Sequence, residues 1–234
     1  MKKIIVFLSL VLLCSCSKPL DLATLEPGSN AKLYNLENNQ YLETNSLKGH
    51  YEWKDIDGKK NLITVDNGEI VTNYHEINKT KNQFNYLGVP TDSTWDIKIV
   101  VYKNKIAEVN ATFSNENSFK LIENLLKKLG EPTQISNDKT DFGEHRNQNI
   151  YSNFKKYFQK NTNLEKDSIN VDKQLTHPRN VLWNKKNSIT TLGVYLTNDD
   201  NIRLVFSTMS KKAYFDRVLY PAPTENSPFY EYLK

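Results

Sequence analysis

The sequence predicts an α+β fold: an antiparallel β-sheet of about six to eight strands with one main helix, Glu116–Leu129, packed on it and a second short helix in an insertion. Three observations predict it. Trp95, Ile97, Ile99 and Val101 alternate with Asp96, Lys98, Val100 and Tyr102, and after a turn at Lys103-Asn104-Lys105 the alternation resumes with Ala107, Val109, Ala111 and Phe113. Two antiparallel strands, each with one face to the core, give that pattern. The apolar spacing then changes to three and four, through Phe119, Ile122, Leu125, Leu126 and Leu129, which is the stripe of a helix lying on the sheet. Asp57-Gly58 and Asn67-Gly68 are strong hairpin signals between β-branched and aromatic runs.

Residues 32–218 are expected to form one domain. Within it, 50–76 reads as a three-stranded meander over His50–Trp53, Asn61–Val65 and Glu69–Glu76, with turns at the two glycines. The strand-strand-helix unit follows at 95–129. Ser114 or Asn115 is placed to cap the helix, Glu116 and then Lys127 and Lys128 complement its dipole, and Gly130 and Pro132 end it. Residues 134–180 are more polar and form an insertion, in which Ile150, Phe154, Tyr157 and Phe158 mark a short amphipathic helix and 161–176 reads as exposed loop. Strands resume over 181–208, with Leu192, Val194 and Leu196, then Ile202, Leu204 and Phe206, on one face. Residues 219–234 are a tail rich in proline and aromatic residues.

At the N-terminus, Lys2 and Lys3 precede an apolar run, Ile4 to Leu13, too short to span a bilayer but of signal-peptide length. The run ends in Leu13-Cys14-Ser15-Cys16, which resembles the lipobox of bacterial lipoproteins. Cys16, preceded by the small Ser15, fits the box better than Cys14, preceded by the bulky Leu13. The resemblance implies that 1–15 is a cleaved signal, that Cys16 carries the lipid, and that Ser17 is compatible with release to the outer membrane of a Gram-negative cell. An ordinary cleaved signal with two incidental cysteines is the alternative. Residues 16–31 are then expected to be a tether. The chain has 31 basic and 27 acidic residues, a formal charge of +4; Lys2 and Lys3 leave with the signal and no acid does, so +2 remains. Without a dense basic stripe, the mature chain is not expected to bind nucleic acid. The resemblance implies that the mature chain's one remaining cysteine is acylated, which would exclude a disulfide, a thiolate metal ligand and a cysteine nucleophile.

The body offers few groups for chemistry. Asp141-Phe142-Gly143 matches the magnesium triplet of protein kinases, but no glycine-rich nucleotide loop accompanies it. Asp141, Glu144 and His145 are the one local cluster of ligand-type residues, and the bland expectation is a solvated loop. His50, His75 and His177 are dispersed, and no nucleophile elbow or phosphate loop is present. No cofactor is expected. Aromatic residues make up 11% of the chain, which prompts a glycan-binding alternative, with Trp53, Tyr74, Tyr102 and Tyr195 as the rings best placed for exposure. The leading expectation is a lipid-anchored envelope protein that binds another protein without catalysis; glycan or small-ligand binding and an unrecognised hydrolase are the alternatives.

Overall fold

The computed structural model describes residues 19–77, 83–92, 97–142, 148–166, 173–197 and 201–220. Its strands are β1 (Leu20–Asp21), β2 (Leu42–Ile56), β3 (Lys59–Glu76), β4 (Phe84–Tyr86), β5 (Val89–Pro90), β6 (Lys98–Tyr102), β7 (Lys105–Ser114), β8 (Gln134–Phe142), β9 (Asn163–Lys166), β10 (Lys173–Asn184), β11 (Ser188–Leu196) and β12 (Ile202–Ser210). The α-helices among these residues are α1 (Glu116–Leu129), α2 (Gln148–Tyr157) and α3 (Lys211–Phe215). A nine-stranded sheet runs in the order β2-β3-β6-β7-β12-β11-β10-β8, with β9 added on β10, and a small sheet β1-β4-β5 lies apart from it. Every pairing in the large sheet is antiparallel. The architecture is therefore mostly antiparallel sheet with a few short helices, and its nine strands exceed the expected number.

The central unit forms as the alternation requires. β6 and β7 are joined by Lys103 and Asn104, both at positive φ (51° and 58°), the geometry whose twist matches two antiparallel strands. Ile97, Ile99, Ile106, Val109, Ala111 and Phe113 are buried on one face, where Leu121, Ile122 and Leu125 of α1 meet them. The N-terminal cap differs from expectation: Asn115 occupies the cap position at φ 53° without a side-chain cap bond. Buried Ser118 instead bonds the carbonyls of Phe113 and Ile202, each at 3.3 Å. At the other end Gly130 donates its N–H to the Leu126 carbonyl (2.9 Å), and its own carbonyl accepts the indole N–H of buried Trp183 (2.8 Å). Trp95 falls outside the described residues.

Several expectations are corrected. The second face of β6 and β7 is not simply turned to water: Val71, Val100, Tyr102, Ala107, Leu182 and Ile189 form a second cluster under Ala213, Tyr214, Val218 and Leu219. The short helix α3 and the turn after it supply that cover, which a polar Lys-Lys start concealed. Residues 19–31 are not a free tether. Leu20 pairs with Phe84, Leu22 and Leu25 are fully buried, and the Asp21 carboxylate accepts the N–H groups of Ala23 and Leu87, each at 3.0 Å. Among the described residues of the insertion β8 pairs with β10, so 161–176 is partly strand: residues 173–176 of β10 lie between β8 and β9. The polar composition of β8 and β9 reflects their place at the margin of the sheet, where one side of the ladder meets solvent.

Candidate functional site

The expected meander is a single hairpin of unusual length. Asp57 (φ 53°) and Gly58 (φ 74°) reverse the chain as expected, but Asn67-Gly68 does not. There the pairing shifts from Lys48↔Ile70 to His50↔Val65, so residues 66–69 bulge out and β3 continues through. The Asp66 carboxylate accepts the Gly68 N–H (2.8 Å) and the Asn67 side-chain Oδ1 accepts the Glu69 N–H (3.0 Å), which closes the bulge locally. Opposite it sits Gly49 at φ 102°, so near the other strand that a Cβ would lie 1.9 Å from the Val65 carbonyl oxygen.

Only Val71–His75 of β3 pair with β6. Residues 50–56 and 59–65 therefore leave the sheet as a two-stranded arm of roughly 20–25 Å, from the rise per residue. Its root is held: the Tyr51 N–H donates to the Arg217 carbonyl at 2.9 Å, and the Tyr51 and Tyr220 rings meet edge to face at 5.5 Å. His50 Nε2 lies 2.8 Å from the Glu52 carboxylate, and the Asn67 amide reaches His50 Nδ1 at 3.2 Å. This hydrogen bond, with the nearby positive charges, holds the Glu52 carboxyl below the usual carboxylate range. Beyond the root the arm is exposed, Trp53 at 41% and Ile56 at 48%. No strand among the described residues lies on the outer side of β2. Leu20 and the arm lie toward opposite ends of the sheet, although residues 28–31 return to Asn104, Lys105 and Ile106 at the arm's end. The arm leaves past the Lys103-Asn104 turn, whereas Leu20 lies beside Phe84, whose carbonyl takes the Thr91 N–H, and Asp92 bonds Thr112 near the far end of β7.

One Lys–Glu pair is half inside the sheet. Glu108, 5% exposed, is held by Lys98 Nζ at 3.3 Å and by the Ser207 hydroxyl, which donates at 2.9 Å. Lys98 and Ser207 together satisfy this carboxylate within the sheet. Lys98 comes from the adjacent strand β6 and Ser207 from β12.

Of the site residues singled out from sequence, Cys16, Glu144 and His145 fall outside the described residues. Asp141 is exposed on β8 opposite Gln174, in regular strand instead of the irregular loop expected for it. Among the described residues no group of three His, Cys, Asp or Glu side chains is placed to hold a metal ion. Of the rings expected to be exposed, Tyr74 and Tyr102 are buried; Tyr195 is half-buried under the Arg179 guanidinium, 3.9 Å from its ring centre.

His177 is a buried titratable group. Its Nδ1–H donates to the Pro178 carbonyl (2.9 Å), so Nε2 accepts from the Thr140 hydroxyl (3.0 Å), and its ring stacks on Phe154 at 5.6 Å. Burial pushes its pKa below the ordinary 6.5, outweighing the Pro178 bond and Asp138, which pull it up; Arg179 adds to the lowering. The unfolded chain therefore binds the extra proton more readily. Stability is full above about pH 6.5 and is lost as the pH falls from there toward the lowered folded value. Thermal unfolding of His177→Gln is expected to show a lower Tm at pH 8 than the parent but a smaller drop between about pH 8 and pH 5.5. An unchanged drop would assign the titration to other groups.

The fold defines a class, an α+β protein with a nine-stranded antiparallel sheet and a projecting β-arm. No protein-family model, curated protein or solved structure gives a significant match to the chain.

Proposed function

We propose that this chain is a lipid-anchored envelope protein of a Gram-negative bacterium, carried at the outer membrane by acylated Cys16, and that its body binds another protein through the β2–β3 arm. The arm is the observation that carries the binding role. A two-stranded hairpin alone is marginal in water, and this one carries the exposed side chains of Trp53 and Ile56 with no strand among the described residues on the outer side of β2. Such an edge accepts an added strand, with main-chain bonds supplying affinity and alternate side chains specificity. The signal and lipobox support the anchor. Three residues, Ser17 to Pro19, separate Cys16 from paired Leu20, a reach of at most about 14 Å. A body held that close to the bilayer at one end would direct the arm at its other end away from it. No helix among the described residues is long and apolar enough to cross a membrane.

Two experiments test the two halves separately. Metabolic labelling with a fatty-acid analogue is expected to mark the parent and Cys14→Ser but not Cys16→Ser; label retained in Cys16→Ser removes the anchor. For the arm, a photocrosslinking residue at position 56 is expected to give one adduct of discrete mass in intact cells, while the same residue at position 127 gives none. Absence of an adduct at position 56, with the protein folded and anchored, removes the partner-binding role.

A further inference from the structure

A pocket of about 430 Å³ opens at the end of the sheet away from the arm, between the first turn of α1, the helix α2 and the start of β12. Four asparagines line it, Asn115, Asn149, Asn153 and Asn201, with the Glu116 carboxylate and an apolar floor that includes Phe119 and two isoleucines. The Phe119 ring is braced edge-on by Phe154 at 5.3 Å, so part of this floor is rigid. Asn115 occupies a helix cap position yet spends no side-chain bond on the helix, and the Asn153 amide donates to the Asn149 carbonyl (2.9 Å), leaving its own carbonyl oxygen as an acceptor.

We propose that this pocket binds a neutral saccharide. An amide presents a donor and an acceptor on adjacent atoms, the complement of two neighbouring hydroxyls, and Asn115 and Asn153 on facing helices offer that complement. The apolar floor suits the C–H face of a sugar ring. Among the described residues its lining holds no cation to attract phosphate or sulfate. The single carboxylate lies in the first turn of α1, where the positive end of the helix dipole already offsets it, so it does not mark an ammonium site. The volume falls within the range of about 300–1,000 Å³ usual for small-ligand pockets. This binding is independent of the arm, which lies at the other end of the sheet.

The test is a titration of the isotope-labelled full mature chain with maltose, lactose and N,N′-diacetylchitobiose, followed through side-chain amide signals in proton–nitrogen correlation spectra. At least one of the three is expected to move the signals of Asn115, Asn149 and Asn153 saturably. The pair Asn115→Ala and Asn153→Ala is expected to weaken that binding by about tenfold or more, and Lys127→Ala to leave it unchanged. If the double variant does not fold, the map on the parent chain decides alone. The proposal is overturned if none of the three sugars moves these signals, or if inorganic phosphate or tetramethylammonium moves them more strongly.

Discussion

Leu125→Ala is expected to lower the free energy of unfolding by about 2–5 kcal/mol, the range for truncating a large aliphatic side chain in a packed core. Leu125 is fully buried at the centre of the α1 stripe, between Leu121 and Ile122 on its own helix and the sheet below. Neighbours cannot easily collapse into the gap. Asn124 fixes α1 to the Leu87 carbonyl (3.1 Å) and Trp183 ties its C-terminal end to the sheet, so the helix is pinned on both sides of the lost methyl groups. Lys127→Ala is the control on the same helix. Its ion pair with Glu123 is formed by a Lys side chain 70% exposed, so its loss should change stability by no more than about 0.5 kcal/mol. Urea titrations of the two variants decide; equal, small changes would mean that α1 does not pack through this stripe.

The second large effect is expected at Gly49. Alanine there would place a Cβ 1.9 Å from the Val65 carbonyl oxygen and 2.6 Å from its carbon, at a φ of 102° that L side chains rarely adopt. Strain of about 1–3 kcal/mol from the backbone adds to a clash with backbone atoms that no rotamer relieves, and together they cost about 3 kcal/mol or more. The damage should be local. The arm beyond Gly49 joins the body mainly through Tyr51 and its own two strands, so hydrogen-exchange protection should fall for amides 50–65 while α1 and β7 keep theirs. Gly58→Asn at the arm tip is the contrasting substitution, because a Cβ there meets nothing and asparagine tolerates a left-handed conformation. It should change stability by less than about 1 kcal/mol. Unchanged protection of 50–65 in Gly49→Ala would show that the root of the arm does not need this close approach.

The elements legible in the sequence are those whose pattern and local chemistry agree. Strands β6 and β7 alternate strictly, and α1 has a five-residue apolar stripe, lysines in its last turn and a glycine after it, so its bounds of Glu116–Leu129 follow from residues alone. Asn67-Gly68 shows where local chemistry fails. The pair forms its tight turn, yet the strand continues, because Gly49 on the facing strand lets the two backbones close over the bulge. That partner is nearly twenty residues away in sequence and invisible to a local pattern. The same limit applies to the site. Neither the arm nor the amide pocket has a motif, since one arises from a strand outrunning its neighbour and the other from Asn115, Asn153 and Asn201 meeting across three elements.

What the sequence by itself determined is local: the periods that make strand or helix, the charges that suit a helix end, and the turns at Asp57-Gly58 and Lys103-Asn104. Only the tertiary structure decided which faces are covered. Tyr102 and Glu108 read as outward residues on half-buried strands, and α3 with Val218 and Leu219 buries the first while Lys98 and Ser207 enclose the second. Leu22 and Leu25 read as part of a tether, and the groove beside Phe84 and Tyr86 took them into the core. The physical reason is the same in each case. Burial depends on which distant surface arrives, and a stretch of chain carries its own period but not the identity of the surface that will cover it.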